Sequence, residues 1–368
     1  MNMQNATQLK VLIAPLDWGL GHASRCVPIV RALLHMGAQV TLAASGNALK
    51  LLQAEFPTLP TIELKGYDVR YPNRGSWLFH FIKRLPTLVY YLYKEKKQSS
   101  RIIKKLGIDL VISDNRYFVR SRSTYSICIS HQLHPPFPFA KSILNRFNHY
   151  LLNRFDEVWV PDNATSERLA GELSAPVFFS KATLHYIGPL SRFNYSPAPT
   201  TFKYDFMALI SGPEPQRSAL EKMLCSQLKT SEKKGLMVLG LPGTSTEFET
   251  GKYDQIRVIS HLDGKDIATE MAASRLVICR SGYTSIMELV ALQKQAILIP
   301  TPTQPEQAYL GNYLKNSGPF LVVEQHEFDF DKHYETASTS LAKKTLALES
   351  QTLEKHIARC FDKLTRPN

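Results

Sequence analysis

Residues 10–44 read KVLIAPLDWGLGHASRCVPIVRALLHMGAQVTLAA, and their order decides the fold class. Lys10-Val11-Leu12-Ile13-Ala14 is a short apolar run of the kind found in a buried strand. Gly19-Leu20-Gly21-His22 follows, His22–Met36 has the apolar spacing of a helix, and Gln39–Ala44 forms the next strand. Strand, glycine turn, helix and strand make a βαβ unit, and such units build parallel sheets covered by helices on both faces. The two glycines let the backbone turn tightly and approach a ligand at a helix N-terminus, where anionic groups are favoured. The dinucleotide fingerprint G-x-G-x-x-G is left incomplete, because Ser24 stands where its third glycine would be. That argues against a nicotinamide cofactor.

Outward from this stretch the alternation continues. Ile62–Lys65 is a weaker strand, a helical stretch from about Trp77 to Leu106 is expected to break at Pro86, and Asp109–Ser113, Ser126–Ser130 and Glu157–Val160 read as strands. Ile187-Gly188-Pro189-Leu190 and Ser196-Pro197-Ala198-Pro199-Thr200-Thr201 then form a turn-rich passage of the composition that marks domain boundaries. The pattern restarts with strands at Phe206–Ile210, Leu236–Leu239, Val258–Ser260, Leu276–Ile278, Ala296–Ile299 and Phe320–Val323. Helices fit about Gln216–Lys229, Asp266–Ala273, Thr284–Leu292 and Gln307–Asn316, and the tail from about Tyr334 to Leu364 is helical. The fold class is therefore α/β, with two Rossmann-like domains facing each other across a cleft. The expected division is 1–188, 189–345 and a C-terminal helix at 346–368 that packs back on the first domain.

A chain of 368 residues suits two such domains, and 44% hydrophobic with 21% charged residues is a globular composition. Five scattered cysteines without a C-x-x-C pair argue against a disulfide framework or a structural zinc site, and fit a reducing compartment. The N-terminus carries no secretory pattern, and no window approaches the roughly 20 apolar residues of a membrane span. The net charge of +12 is uneven: Arg74 to Lys105 holds nine Lys or Arg against one acid, Glu95. Such a block attracts phosphates on lipid, substrate or nucleic acid, and nothing in the sequence pairs it with a nucleic-acid motif.

Three further constellations carry chemistry. Cys279-Arg280-Ser281-Gly282-Tyr283-Thr284 joins a strand to a helix containing Glu288, and a Ser-Gly turn at a helix start forms an anion nest suited to a diphosphate. Glu288, one turn on, could accept hydrogen bonds from ribose hydroxyls. Pro300-Thr301-Pro302-Thr303-Gln304-Pro305-Glu306-Gln307 delivers Glu306 and Gln307 to a helix start, where they suit sugar hydroxyls or simply cap the helix. Ser211-Gly212-Pro213-Glu214 follows the first strand of the second half and could line the phosphate site, with Arg217 as a further charge. His22 opens its helix and is either a general base at the cleft or a solvated helix cap.

Together, Gly19-Leu20-Gly21-His22, Cys279-Arg280-Ser281-Gly282, Glu288 and Glu306-Gln307 resemble the GT-B glycosyltransferases of the family-28 type, the family of the peptidoglycan N-acetylglucosaminyltransferase. The stretch from about Asp266 to Leu314 carries most of the likeness. The resemblance implies a UDP-sugar donor on the second domain and an acceptor on the first. It implies that Glu288 binds the ribose, that Ser281, Gly282 and Thr284 line the diphosphate, and that Glu306-Gln307 contacts the sugar. It also places His22 near the acceptor or as the base. Gly19, Gly21, Ser211, Gly212, Arg280 and Tyr283 complete the expected nucleotide-sugar contacts. Two departures stand out. The family's polar pair is often Asp-Gln or Gln-Gln where this chain has Glu306-Gln307, and Asp17-Trp18 replace glycine-rich sequence in the first loop, which suggests a different acceptor pocket.

The activity expected from the resemblance is transfer of a hexose or N-acetylhexosamine to an acceptor hydroxyl, with His22 or Asp114 as base. No Asp-x-Asp motif for a nucleotide-bound metal is present and no cofactor is expected. Leu78, Ile82, Leu85, Val89 and Leu92, followed by Lys94, Lys96, Lys97, Lys104 and Lys105, suggest a lipid-linked acceptor and peripheral contact of a cytoplasmic protein with the anionic inner face of the cell membrane. The same pattern also fits a core helix with a solvated basic end. A UDP-sugar hydrolase, a UDP-sugar 2-epimerase and a non-catalytic nucleotide-sugar binder remain open on the same fold.

Overall fold

The computed structural model describes residues 8–66, 77–137, 140–165, 167–193, 201–229, 231–241, 255–315, 319–341 and 352–365, with the side chains of 77–86 and 88 left aside. The chain divides into two units, Met1–Leu190 with Glu349–Asn368, and Ser191–Leu348. Of the proline-rich passage Ser196–Thr201, residues 196–200 lie outside the described residues.

The first unit holds a seven-stranded parallel sheet of β1 (Lys10–Pro15), β2 (Gln39–Ala44), β3 (Thr61–Glu63), β4 (Leu110–Asp114), β5 (Tyr125–Ile129), β6 (Glu157–Val160) and β7 (Thr183–Tyr186). Their order is β3-β2-β1-β4-β5-β6-β7. All five residues of β4 and all four of β6 are buried, as expected of strands covered on both faces. Register sets Ile13 beside Ile112 and Pro15 beside Asp114, so the ends of β1 and β4 meet where the strand order reverses. Helix α1 (Leu20–His35) connects β1 to β2 and buries Ala23, Cys26, Val27, Ile29, Val30 and Leu33.

The second unit repeats the plan with six parallel strands: β8 (Tyr204–Leu209), β9 (Gly235–Val238), β10 (Ile256–Ile259), β11 (Ser274–Cys279), β12 (Ala296–Leu298) and β13 (Phe320–Val322). Their order, β10-β9-β8-β11-β12-β13, reverses between β8 and β11. In open α/β sheets the crevice at such a reversal, beyond the carboxyl ends of the strands, is where ligands bind.

The sequence pattern missed several elements. Helix α2 (Gly46–Glu55) buries only Ala48 and Leu52, one turn apart, which is too little periodicity to read. Between β3 and β4 lies α3 (Trp77–Leu106), which runs through Pro86 without the expected break; losing one backbone bond does not end a 30-residue helix. Helix α4 (Lys141–Leu152) has an inverted pattern, with Asn145 and Asn148 buried while Ile143, Phe147 and Tyr150 face solvent. Edge strand β7 is half-buried and lacks an apolar run. In the second unit, α5 (Gln216–Leu228), α6 (Gly264–Ala272), α7 (Tyr283–Ala291) and α8 (Pro305–Leu314) lie close to the expected positions. Among the described residues the tail holds the helices α9 (Phe330–Ser340) and α10 (Thr352–Thr365).

Helix α10 returns to the first unit. Thr352 Oγ1 donates to the Ile187 carbonyl at 2.5 Å, and Arg359 reaches buried Glu157 at 3.1 Å. Glu157 also accepts from Trp159 Nε1 at 2.7 Å and Tyr125 OH at 2.8 Å. His185 lies beside this cluster, and burial pulls its pKa down to about 4, with Arg359, His356 and Lys363 adding to the effect against the opposing charge of Glu157. A histidine kept neutral in the folded chain takes up a proton on unfolding, so its contribution is complete above the ordinary value near 6.5. It is lost as pH falls towards 4, at about 1.4 kcal/mol per pKa unit. Urea unfolding is therefore expected to show lower stability at about pH 5 than at about pH 7.5, with the difference reduced in His185→Gln. An equal difference in the variant would show that His185 is not a source of the effect.

Candidate functional site

In the first unit the chain leaves β1 through Gly19, whose φ of 148° and ψ of 171° belong to glycine almost alone. This turn starts α1 at the sheet's reversal point and sets His22 in the first turn of the helix. Asp114 ends β4 directly opposite. The next residue, Asn115, has φ of 53°, a strained value that asparagine tolerates better than most.

His22 Nδ1 lies 3.3 Å from Asp114 Oδ1. Arg25, one turn along α1, grips both carboxylate oxygens of Asp114 through Nε and Nη2. The same guanidinium reaches His22 Nδ1 at 2.7 Å and His131 Nδ1 at 3.2 Å. Asp114, Arg25 and His131 are buried, whereas the His22 side chain keeps 20% of its surface exposed. Burial alone would raise the Asp114 pKa, but Arg25 and His22 hold it at about 2. Burial first, and then the Arg25 charge, lowers His22 below the ordinary histidine value against the pull of Asp114.

Of the two expected base candidates, Asp114 is buried and engaged by Arg25 and His22, whereas His22 keeps part of its ring exposed. Arginine only donates, so a bond from Arg25 to Nδ1 puts the imidazole proton on Nε2, whereas donation from Nδ1 to Asp114 leaves Nε2 free to accept. Arg25 and Asp114 thus compete for one nitrogen, and the outcome decides whether His22 is a base. Arg25 was legible in principle, as a cation three residues from His22 on one helix face. His131 had no local signal.

Asp17, expected to shape a pocket, fastens its loop. It accepts from Ser45 Oγ and from the Gly66 amide at 3.1 Å, and lies 3.5 Å from the buried Arg116. A Cβ on Gly66 would sit 2.5 Å from Asp17 Oδ1, so this contact requires glycine. Neighbouring Trp18 remains half-exposed.

In the second unit three loops leave the carboxyl edge of the sheet, after β8, β11 and β12, and bring most of the other expected residues to one edge. Gly212, with φ of 113°, turns the first loop. Arg280, expected at the nucleotide, is buried, and its Nη1 and Nη2 donate to the carbonyls of Ile299, Pro300 and Gln216. Burial lowers its pKa to about 10. Arg217 is likewise occupied, by Glu214, Glu221 and the Leu239 carbonyl.

Ser281 donates its hydroxyl to the Gln307 carbonyl at 2.9 Å, and Gln307 Oε1 accepts from the Thr301 amide at 2.9 Å. These side chains lock the second and third loops together, and the Tyr283 side chain is buried as well. What this turn can present outward is its backbone at the start of α7. Gly282 has φ of −73°, and a Cβ there would meet only Gln307 Nε2, at 3.9 Å. Neither conformation nor internal crowding demands glycine here, and as the N-cap of α7 it leaves the helix start uncovered by a side chain. Thr284 and Glu306 are partly exposed beside it. Glu288 is buried in α7 and pairs through Oε1 with Arg192 at 2.8 Å, a partner the sequence did not reveal. Burial raises the Glu288 pKa, and Arg192 opposes the rise. Among the described residues no group of three or more His, Cys, Asp or Glu side chains could hold a metal ion.

Comparison with known proteins agrees with this geometry. Residues 221–362 match the glycosyltransferase family 28 C-terminal domain. A UDP-N-acetylglucosamine–N-acetylmuramyl-(pentapeptide) pyrophosphoryl-undecaprenol N-acetylglucosamine transferase of Histophilus somni is 26% identical over 273 residues, 70% of each chain. A glycosyltransferase of Methanosarcina acetivorans is 23% identical over 339 residues, 84% of this chain and 82% of the relative. In fold, the chain resembles Acinetobacter baumannii MurG, with a TM-score of 0.57 and 14% identity over 97% of this chain and all of that one. It also resembles the calicheamicin glycosyltransferase CalG4, with a TM-score of 0.64 and 12% identity over 97% of each chain. With two parallel Rossmann-like sheets, and residues 221–362 matching the family 28 C-terminal domain, the chain has the GT-B fold, is a glycosyltransferase and resembles the family-28 type to which MurG belongs.

Proposed function

We propose that this glycosyltransferase moves a hexose or N-acetylhexosamine from a UDP-sugar to the hydroxyl of a lipid-linked acceptor, without a metal ion. The observation that carries the donor reading is the 280–284 turn, which presents backbone at the start of α7 with Glu288 buried behind it and Gly282 left open. The first amides of a helix lack intrahelical partners and, with the helix dipole, stabilise charge growing on a departing diphosphate. Glu288 uses one carboxylate oxygen on Arg192 and retains the other for a ribose hydroxyl. Glu306 and Gln307 Nε2 lie at the same edge for the sugar.

In the reaction the acceptor oxygen bonds to the anomeric carbon as its bond to the phosphate oxygen breaks, and UDP leaves. His22 Nε2 takes the acceptor proton, and Asp114 stabilises the imidazolium that forms. An aspartate near pKa 2 remains ionised throughout and does not itself accept the proton.

The lipid-linked acceptor is supported by the surface of the first unit. Val89, Tyr90 and Tyr93 of α3 are exposed beside Lys94, Lys96 and Lys97, and Glu95, the acid of this segment, is turned inward to Arg116. Farther along, Ile103 is buried, so this end of α3 is a core helix with a basic outer face. Among the described residues no helix is long and apolar enough to cross a membrane, so the contact proposed is peripheral, at the inner face of the cell membrane.

The test is incubation of the purified protein with a panel of UDP-sugars, with and without a membrane lipid extract, following UDP release and the fate of labelled sugar. UDP formed only with extract, with label entering lipid, is expected. Rapid release of UDP and free sugar without extract would replace transfer by hydrolysis, and the absence of UDP binding would overturn the donor assignment.

A further inference from the structure

The first unit carries a second basic feature, on the edge of its sheet opposite His22. Arg120, Arg122, Arg154 and Lys181, together with Tyr150 and Asn153, line an open cavity of about 450 Å³. Topology fixes its position. Residues 120–122 precede β5, residues 153–154 precede β6 and Lys181 precedes β7, so all reach the amino-terminal edge of parallel strands. His22 and Asp114 lie at the carboxyl edge, about 15 Å away across strands of this length.

Four cations face a single carboxylate in this cavity, so its charge is only partly compensated. Asp156 is the carboxylate in its lining, and its Oδ2 is occupied by the Ser126 amide at 2.8 Å. Among the described residues none of the four cations has a carboxylate within salt-bridge distance. Their other contacts hold them in place without neutralising them. Arg120 Nη1 donates to the Arg154 carbonyl at 2.7 Å, and its guanidinium lies 5.9 Å from the centre of the Phe155 ring. Arg154 lies 5.9 Å from the centre of the Tyr150 ring. Burial lowers the Arg120 pKa, and repulsion from Arg154 and Arg122 lowers it further. Like charges gathered around a cavity cost free energy that a polyanion would recover, and the planar donors of arginine match phosphate oxygens.

We propose that this cavity is a phosphoryl-binding site for a phosphomonoester or diphosphate group, separate from the transfer site. Two sources share that chemistry: a soluble phosphate compound, and the headgroup of an anionic lipid. The second is compatible with Tyr150, which continues into the exposed Ile143 and Phe147 face of α4.

Arg122 and Lys181 are exposed, so the double variant R122Q/K181Q leaves the core untouched; an unchanged thermal midpoint would confirm this. Calorimetric titration of the intact protein with inorganic pyrophosphate at low salt forms one arm. Flotation with phosphatidylcholine vesicles containing phosphatidic acid forms the other. Saturable pyrophosphate binding that weakens at least about tenfold in the double variant supports the site with a soluble ligand. Vesicle binding lost in the variant, without pyrophosphate binding, supports it with a lipid headgroup. Equal behaviour of the two proteins in both arms, or binding in neither, overturns it.

Discussion

Replacing His22 by alanine is expected to lower turnover by about two to four orders of magnitude while leaving UDP affinity essentially unchanged. The expectation rests on the position of His22, in the first turn of α1 at the reversal of the first sheet, with Asp114 beside Nδ1. His22 belongs to the first unit and the 280–284 turn to the second, so removing the imidazole should leave donor binding intact. Its lowered pKa keeps it neutral through the physiological range, which a base requires. The acid limb of the pH–rate profile is therefore expected below the ordinary histidine value, because protonation disables the base only there. Steady-state kinetics together with UDP titration check both parts. Turnover unaltered in His22→Ala would remove it from the mechanism, and weakened UDP binding with normal turnover would reassign it to the donor.

The second large effect is on folding as well as activity. Asp114→Ala is expected to destabilise the first unit by about 3–5 kcal/mol, because it leaves the buried Arg25 without its counter-charge. Some of that penalty arises because Arg25 is buried away from water, and the two histidines it also contacts, His22 and His131, are neutral acceptors or like charges. Asp114→Asn keeps the shape and loses the charge, so it should fold better than the alanine variant while remaining poorly active. With asparagine in place, Arg25 keeps His22 Nδ1 as an acceptor, and the imidazole then carries its proton on Nε2. Denaturant unfolding of both variants, with activity measured on the folded fraction, separates the two roles. A folded, fully active Asp114→Asn would show that the carboxylate's charge does not govern His22.

The comparison of α1 and α4 shows how much of this was legible in the sequence. The apolar spacing of α1 matches its buried face, because the helix covers one side of a buried sheet. In α4 the correspondence fails: Asn148 turns inward to the Gln132 and Leu133 carbonyls while Ile143 and Phe147 turn outward. A hydrophobic pattern cannot anticipate a helix whose polar residues satisfy a neighbouring loop. Pro86 makes the same point from the other side, since local propensity argued for a break that the helix does not show.

Within the sites, the glycine turns and the order of strands and helices were set by local sequence. Gly19 and Gly212 adopt backbone angles that other residues resist, and parallel βαβ order puts their loops at the carboxyl edges of the sheets. The sequence by itself therefore determined two Rossmann-like sheets, the loops at their reversal points, and His22 and Glu288 as the residues to examine. Only the tertiary structure decided what each side chain does. It buried Asp114 in the grip of Arg25, bonded Arg280 to backbone carbonyls, paired Glu288 with Arg192, and gathered Arg120, Arg122, Arg154 and Lys181 at the far edge. The reason is physical: backbone conformation follows from neighbours along the chain, whereas charge, burial and proton position follow from residues 60 to 100 positions away that only folding brings within 3 Å.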